Sequence, residues 1–161
     1  MHITRETDYA IRIVYCLANT QGRKDAGTIS EEMGVTLRFS LKILHKLVKC
    51  GLVKSYKGAK GGYELSRPAS EINLKQVIEA TEGTYKIVKC IDPNYVCQWK
   101  KTPGLCSFRR EFSRISEQVN DELEKVSLDR IYQVLQKHPL VVIKPQSLNI
   151  TPLLEEYPQL T

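Results

Sequence analysis

The stretch from Thr28 to Leu65 constrains the fold more than any other part of the chain, because it specifies three elements in a fixed order. Thr28-Ile-Ser-Glu31 has the Ser/Thr-x-x-Glu form of a capping box and is expected to open a short helix that stops at Gly34. A second helix is expected from Thr36, as its cap, to Gly51. Two helices hinged on a tight glycine-containing corner form a helix–turn–helix. Leu52 to Leu65 then alternates on both sides of a Gly-rich turn, as a β-hairpin does. The lysines Lys57 and Lys60 lie in that turn, while Gly58, Gly61 and Gly62 allow unusual backbone angles and close approach. Helix–turn–helix followed by hairpin is a winged helix, whose wing would lie along a phosphate backbone or in a minor groove.

The second of these helices carries the functional signal. Leu41, Leu44, Leu47 and Val48 form its apolar stripe, and Arg38, Lys42, Lys46 and Lys49 follow at spacings of four, four and three. The helix contains no acidic residue, whereas a solvated helix ordinarily mixes signs to gain i,i+4 pairs. Such a face is suited to DNA. Thr36, Arg38, Ser40 and Lys42, near the helix start, are expected to reach base edges, with Arg38 suited to a bidentate guanine contact. Lys46, Lys49, Lys57 and Lys60 are expected on phosphates. His45, beside the stripe, is assigned no role. Charge distribution agrees: residues 1–70 carry 12 Lys+Arg against 6 Asp+Glu, whereas residues 71–161 carry 12 of each. The excess that would neutralise phosphates is therefore N-terminal.

A first helix is expected from Thr4 to about Thr20, burying Tyr9, Ile13, Cys16 and Leu17 and turning Asp8, Arg12, Tyr15 and Asn19 to another face. Asn73 to Glu82 reads as a short amphipathic helix through Leu74, Val77, Ile78 and Thr81. Beyond the loop-rich segment 83–107, a long helix carries Phe108, Phe112, Ile115, Val119, Leu123 and Val126 as an apolar seam, fit to pair two copies of the chain. Residues 127–137 resemble one more short helix. The chain thus divides into a winged helix–turn–helix domain (1–82), a cysteine-rich loop (83–107), a dimerisation helix with its short successor (108–137) and a tail (138–161) without an assigned role. The fold class is mainly α with a small β-hairpin wing. No apolar run reaches membrane-span length and no cleavage site follows Ala10–Ala18, so a cytoplasmic protein with no membrane partner is expected.

Five cysteines, an odd number, argue against a disulfide framework. Cys16 falls on the apolar stripe of the first helix and reads as a core residue. Cys90, Cys97 and Cys106 share a 17-residue window in a loop that holds Trp99, the only tryptophan. Thiolates on an irregular loop can converge on a soft metal or a cluster. Zinc sites generally use closely spaced pairs and four ligands, and here there is neither a Cys-x-x-Cys nor a nearby histidine. Free thiols acting as a redox switch remain the other alternative. No nucleophile–base constellation and no phosphate loop is present, so an enzyme is not expected; a winged-helix module for an acidic protein partner is the remote alternative.

Thr7-Asp-Tyr-Ala-Ile-Arg12, Ile29-Ser-Glu-Glu-Met-Gly-Val35, Gly51-Leu-Val53, Lys57-Gly-Ala-Lys-Gly-Gly-Tyr-Glu-Leu65 and the three-cysteine loop resemble the IscR/NsrR family of bacterial winged-helix regulators, also called the Rrf-two family. The resemblance spans roughly residues 1–135. It implies a homodimeric repressor or activator that binds a partly palindromic double-stranded operator. It also implies a two-iron or four-iron cluster, held by Cys90, Cys97, Cys106 and one further ligand. In one branch that ligand is a histidine three residues after the last cysteine, where this chain has Arg109. In the nitric-oxide-sensing branch it is an aspartate in the first helix, reached from the other subunit, and Asp8 matches it. The competing role for Asp8 is a surface pair with Arg12, one turn on. Two departures stand out: the Cys97–Cys106 spacing exceeds the family's compact loop, and Lys57 replaces a common arginine, keeping charge but losing bidentate geometry.

Overall fold

The structure is a computed structural model that describes residues 3–58, 60–84, 86–97 and 106–131. The expected tail 138–161, the expected helix beyond Ile131 and Trp99 lie outside the described residues. Helix α1 (Arg5–Ala18) starts where the Thr4 hydroxyl accepts the Thr7 amide at 3.3 Å. Helix α2 (Ala26–Met33) starts earlier than the Thr28 box implied. Asp25 is the cap: one carboxylate oxygen accepts the Thr28 amide at 3.0 Å and the other accepts the Thr28 hydroxyl at 2.6 Å. A carboxylate takes both donors of Thr28, so Thr28 is held as the third helical residue instead of serving as the cap.

Gly34 closes α2 in the left-handed region at φ 63°, its amide reaching the carbonyls of Ser30 and Glu31. Val35 buries itself in the corner and helix α3 (Leu37–Lys49) follows, with Thr36 as its cap residue. The hairpin pairs β1 (Val53–Tyr56) with β2 (Gly62–Leu65) antiparallel, in the register Val53 to Leu65 and Tyr56 to Gly62. Lys24 adds a short third rung through paired backbone hydrogen bonds with Tyr63, of 3.0 and 2.8 Å. Helix α4 (Leu74–Glu82) opens with a reciprocal capping box between Asn73 and Gln76.

One core joins these elements. Ile13 and Val14 of α1, Ile29 of α2, Ile43, Leu44 and Leu47 of α3, Val53 of β1 and Val77 of α4 are fully buried or nearly so. Burial of each such side chain contributes about 1.5–3 kcal/mol relative to exposure. The α3 stripe differs from the expected one: Leu44 and Leu47 are buried, but Leu41 is exposed and Val48 half-buried, while Ser40 and Ile43 take the core positions.

Helix α5 (Ser107–Lys125) rests on α4 and on the 3₁₀ turn Lys89–Ile91. The Ser116 hydroxyl accepts the Ile87 amide at 3.2 Å, and Lys75 pairs with Glu124 at 2.7 Å. After α5 the chain returns to the winged helix. Leu74 N–H donates to Val126 and Leu128 N–H to the Ile72 carbonyl, and Leu128 enters the core at 1% exposure. Residues 128–131 then begin another helical segment.

Candidate nucleic-acid interface and cysteine loop

Helix α3 turns one face outward beyond the core, with Thr36, Leu37, Arg38, Leu41, Lys42, His45 and Lys49 exposed. Of the base-edge set, Thr36, Arg38 and Lys42 lie on this face. Ser40 does not: at 0% exposure it faces the core, so its side chain is withdrawn as a base reader. The reason is helical phase, since Ser40 lies three residues before Ile43 and four before Leu44, on the side that packs against α1 and α2.

The cationic stripe is not uniform either. Lys46 is turned inward, its ammonium 2.8 Å from Glu6 of α1 and donating to the Thr81 carbonyl of α4 at 3.1 Å. Lys42 also approaches Glu6, at 3.4 Å. The hydrogen bond from Lys46 holds the Glu6 carboxyl below the usual glutamate range, against a smaller opposing effect of burial. Glu6 therefore supplies, from another helix, the acidic partner that α3 lacks. Sequence reasoning on α3 alone missed it because the contact is 36 and 40 residues distant in the chain.

Next to this pair, Thr7 is fully buried and its hydroxyl bonds the Thr81 hydroxyl at 2.8 Å and the Glu82 carboxylate. The Glu82 carboxyl is held low first by that Thr7 hydrogen bond. α1, α3 and α4 thus meet at a polar junction. The second route between α1 and α3 is aromatic. Asp8 pairs with Arg12 at 2.9 Å, Arg12 lies over the Tyr9 ring, Tyr9 meets Phe39 edge-on at 5.6 Å, and Lys42 lies over Phe39. Asp8 is half-exposed, and in this structure it pairs with Arg12, one turn on.

The wing keeps Lys57 and Lys60 exposed. A Cβ on Gly61 would sit 2.4 Å from the Tyr56 carbonyl oxygen and 2.8 Å from that of Gly58, so the tight tip requires glycine there. At the wing base Arg23 lies 3.5 Å over the Tyr56 ring, and the Tyr56 hydroxyl donates to Glu64 at 2.5 Å. Arg23 is a second residue that sequence reading did not single out.

Cys16 is buried, as expected, with its thiol bonded to Glu32 at 3.3 Å; burial first, and that hydrogen bond next, push the thiol up in pKa. Cys90 is half-buried in the turn Lys89–Ile91, Cys97 is exposed, and Cys106 is the cap residue of α5 with no side-chain capping bond. The loop between Cys90 and Cys97 is braced by Asp92, which pairs with Lys86 at 2.8 Å and accepts the Asn94 amide. Among the described residues no three His, Cys, Asp or Glu side chains are gathered closely enough to hold a metal ion. Soft thiols at a turn, a loop and a helix start form a donor set suited by chemistry to a cluster, and the start of α5 favours an anionic group.

The profile of the Rrf2 family, described as iron-dependent transcriptional regulators, matches residues 3–134. The chain belongs to the Rrf2 family. It is a transcription regulator and not an enzyme. Protein aau3 of Rhizobium meliloti is 34% identical over 151 residues, covering 91% of this chain and 88% of that one. The transcriptional regulator NsrR of Oceanobacillus iheyensis is 32% identical over 94 residues, 57% of this chain and 64% of that one. The oxidized form of Staphylococcus aureus CymR superposes with a TM-score of 0.61 at 26% identity, over 81% of this chain and 95% of that one. The mainly helical winged-helix architecture of this Rrf2 regulator is the one its sequence announced. No helix among its described residues is long and apolar enough to cross a membrane.

Proposed function

We propose that this Rrf2 regulator acts as a homodimer that binds a partly palindromic operator, with DNA affinity set by an iron–sulfur cluster held on Cys90, Cys97 and Cys106. The observation that carries the DNA reading is the exposed face of α3, with Arg38, Lys42 and Lys49, next to the lysine-bearing wing. Arg38 reads a guanine edge, with Thr36 and Lys42 beside it, and Lys49, Lys57 and Lys60 contact phosphates. Lys46 serves chiefly to join α3 to α1 and α4. Pairing through α5 is supported by its uncovered seam, where Phe108 is 65% and Ile115 37% exposed. Two recognition helices would then lie about 34 Å apart, one turn of duplex.

A bound cluster would supply a redox- and nitric-oxide-sensitive centre on the loop thiols. Asp8 of a second copy is the fourth ligand in this reading, which requires it to leave Arg12. Arg12, Tyr9, Phe39 and Lys42 form a contiguous run of contacts from Asp8 to the DNA-facing helix, and in this reading release of Arg12 would be passed along it towards Lys42. The likeness to an oxidized CymR structure supports a second reading, in which the loop thiols change state without a cluster.

Oxygen-free purification, with visible absorption and iron and sulfide content measured for the chain and its Cys97→Ala variant, separates the two. Brown protein with iron and sulfide that the variant loses is the expected result. Colourless protein without iron after reconstitution rules out the cluster and leaves the thiols, or zinc if metal analysis finds it. DNA binding is tested separately by selection from random duplexes, followed by the salt dependence of affinity.

A further inference from the structure

The recognition helix exposes two leucines. Leu37 is 48% and Leu41 42% exposed, although both lie among cations and Ile43, Leu44 and Leu47 of the same helix are fully buried. At i and i+4 they form one ridge that continues to His45, alongside a second ridge formed by Arg38 and Lys42. One ridge is apolar at the N-terminal end of α3, where base edges are read; the other is basic.

We propose that Leu37 and Leu41 read thymine, through its 5-methyl group, beside the base read by Arg38. The inference rests on the DNA-binding reading above. In the major groove the thymine methyl is the one apolar group that base pairs present. A leucine has no donor or acceptor, so placed against guanine O6 or the cytosine amino group it would strip water and return no hydrogen bond. Placed against a methyl it removes apolar surface from water on both sides. Ordinary packing does not account for the pair, because their side chains stand clear of the core that the rest of the α3 stripe fills. A protein-binding use of the same ridge would have to cover Arg38 and Lys42, the cations that suit a polyanion. The leucines set specificity where Lys49, Lys57 and Lys60 contribute attraction without sequence preference.

The test uses the full chain and the duplex recovered by selection from random DNA. Each thymine is replaced in turn by deoxyuridine, which keeps all hydrogen-bonding groups and lacks only the methyl, and affinity is read by anisotropy at one ionic strength. Deoxyuridine at one or two positions per half-site is expected to weaken binding about four-fold each, the effect of one methyl removed from an apolar contact. Leu41→Ala and Leu37→Ala should bind the thymine and deoxyuridine forms of the matching position equally, while Leu41→Met keeps the discrimination. Circular dichroism confirms that the variants are folded. If no thymine is sensitive, or both alanine variants keep full discrimination, the inference is overturned. If the variants instead lose dimerisation with discrimination intact, the ridge is a protein contact and the inference also fails. Recovery of no preferred duplex would refute the DNA-binding reading itself, and this inference with it.

Discussion

Glu6 holds Lys46 at 2.8 Å and Lys42 at 3.4 Å, and so divides the cations of the recognition helix into two kinds. Arg38 and Lys49 stay exposed, whereas Lys46 is half-buried against α1 and α4. Arg38→Ala is expected to weaken operator binding about ten- to a hundred-fold and to relax preference at one base position, as loss of a bidentate contact does. Lys49→Ala should reduce the slope of log affinity against log salt by about one and leave base preference intact. Lys46→Ala should leave that slope nearly unchanged and lower the unfolding temperature, because Glu6 is left partly buried without its closest partner. Salt titrations of the variants, with thermal unfolding alongside, check all of these.

The carboxyls of Glu6 and Glu82 both lie below the usual glutamate range in the folded chain, through Lys46 and Thr7 respectively. Their contribution to stability is therefore complete above the unfolded glutamate pKa and is lost as pH falls through the lower folded values. Glu6→Gln should flatten the acid side of the stability–pH curve, as measured by urea unfolding at a series of pH values. An unchanged acid limb would show that the Glu6 pair is formed too weakly to matter. Cys16, buried with a raised thiol pKa, should resist alkylation in the native chain while exposed Cys50 reacts. Peptide mapping after a short iodoacetamide pulse reads this directly.

At the scale of elements, capping chemistry sets the ends of α2 and glycine geometry sets the wing. Asp25→Ala should lower the unfolding temperature more than Glu31→Ala does, since Asp25 and not the Thr28 box closes the helix start. In the wing, Gly61→Ala drives a methyl into the Tyr56 carbonyl. The hairpin tip must then open, displacing Lys57 and Lys60. DNA affinity is expected to fall several-fold, with the phosphate contribution to the salt slope reduced, while the helical circular dichroism is unchanged. Tyr56, packed under Arg23 and bonded to Glu64, keeps the wing base in register when the tip changes.

At the scale of the whole molecule, α5 leaves the winged helix and Leu128 returns to it. Leu128→Ala removes a core side chain contributed from outside the 1–82 segment and should destabilise by about 2–5 kcal/mol. Thermal unfolding tests whether the segment after α5 is part of the same cooperative unit. In the proposed dimer, Ile115→Glu places a charge in the exposed seam of α5 and should convert a dimer to a monomer in light scattering, with the helical content retained. A variant that stayed dimeric would move the subunit contact elsewhere.

The elements of this chain were legible in the sequence because their signals are local. Gly34, the 3.6-residue periodicity of α1, α4 and α5 and the glycine spacing of the wing each act within a few residues. The sequence already turned Arg38, Lys42 and Lys49 outward and Leu44 and Leu47 inward; tertiary structure decided the finer phase of α3, and with it the burial of Ser40 and the exposure of Leu37 and Leu41. It also decided the pairing of Lys46 with Glu6 and the return of Leu128 to Ile72. Backbone propensity and capping depend on neighbours in sequence, whereas burial and ion pairing depend on neighbours in space. Folding brings those neighbours together from helices tens of residues apart.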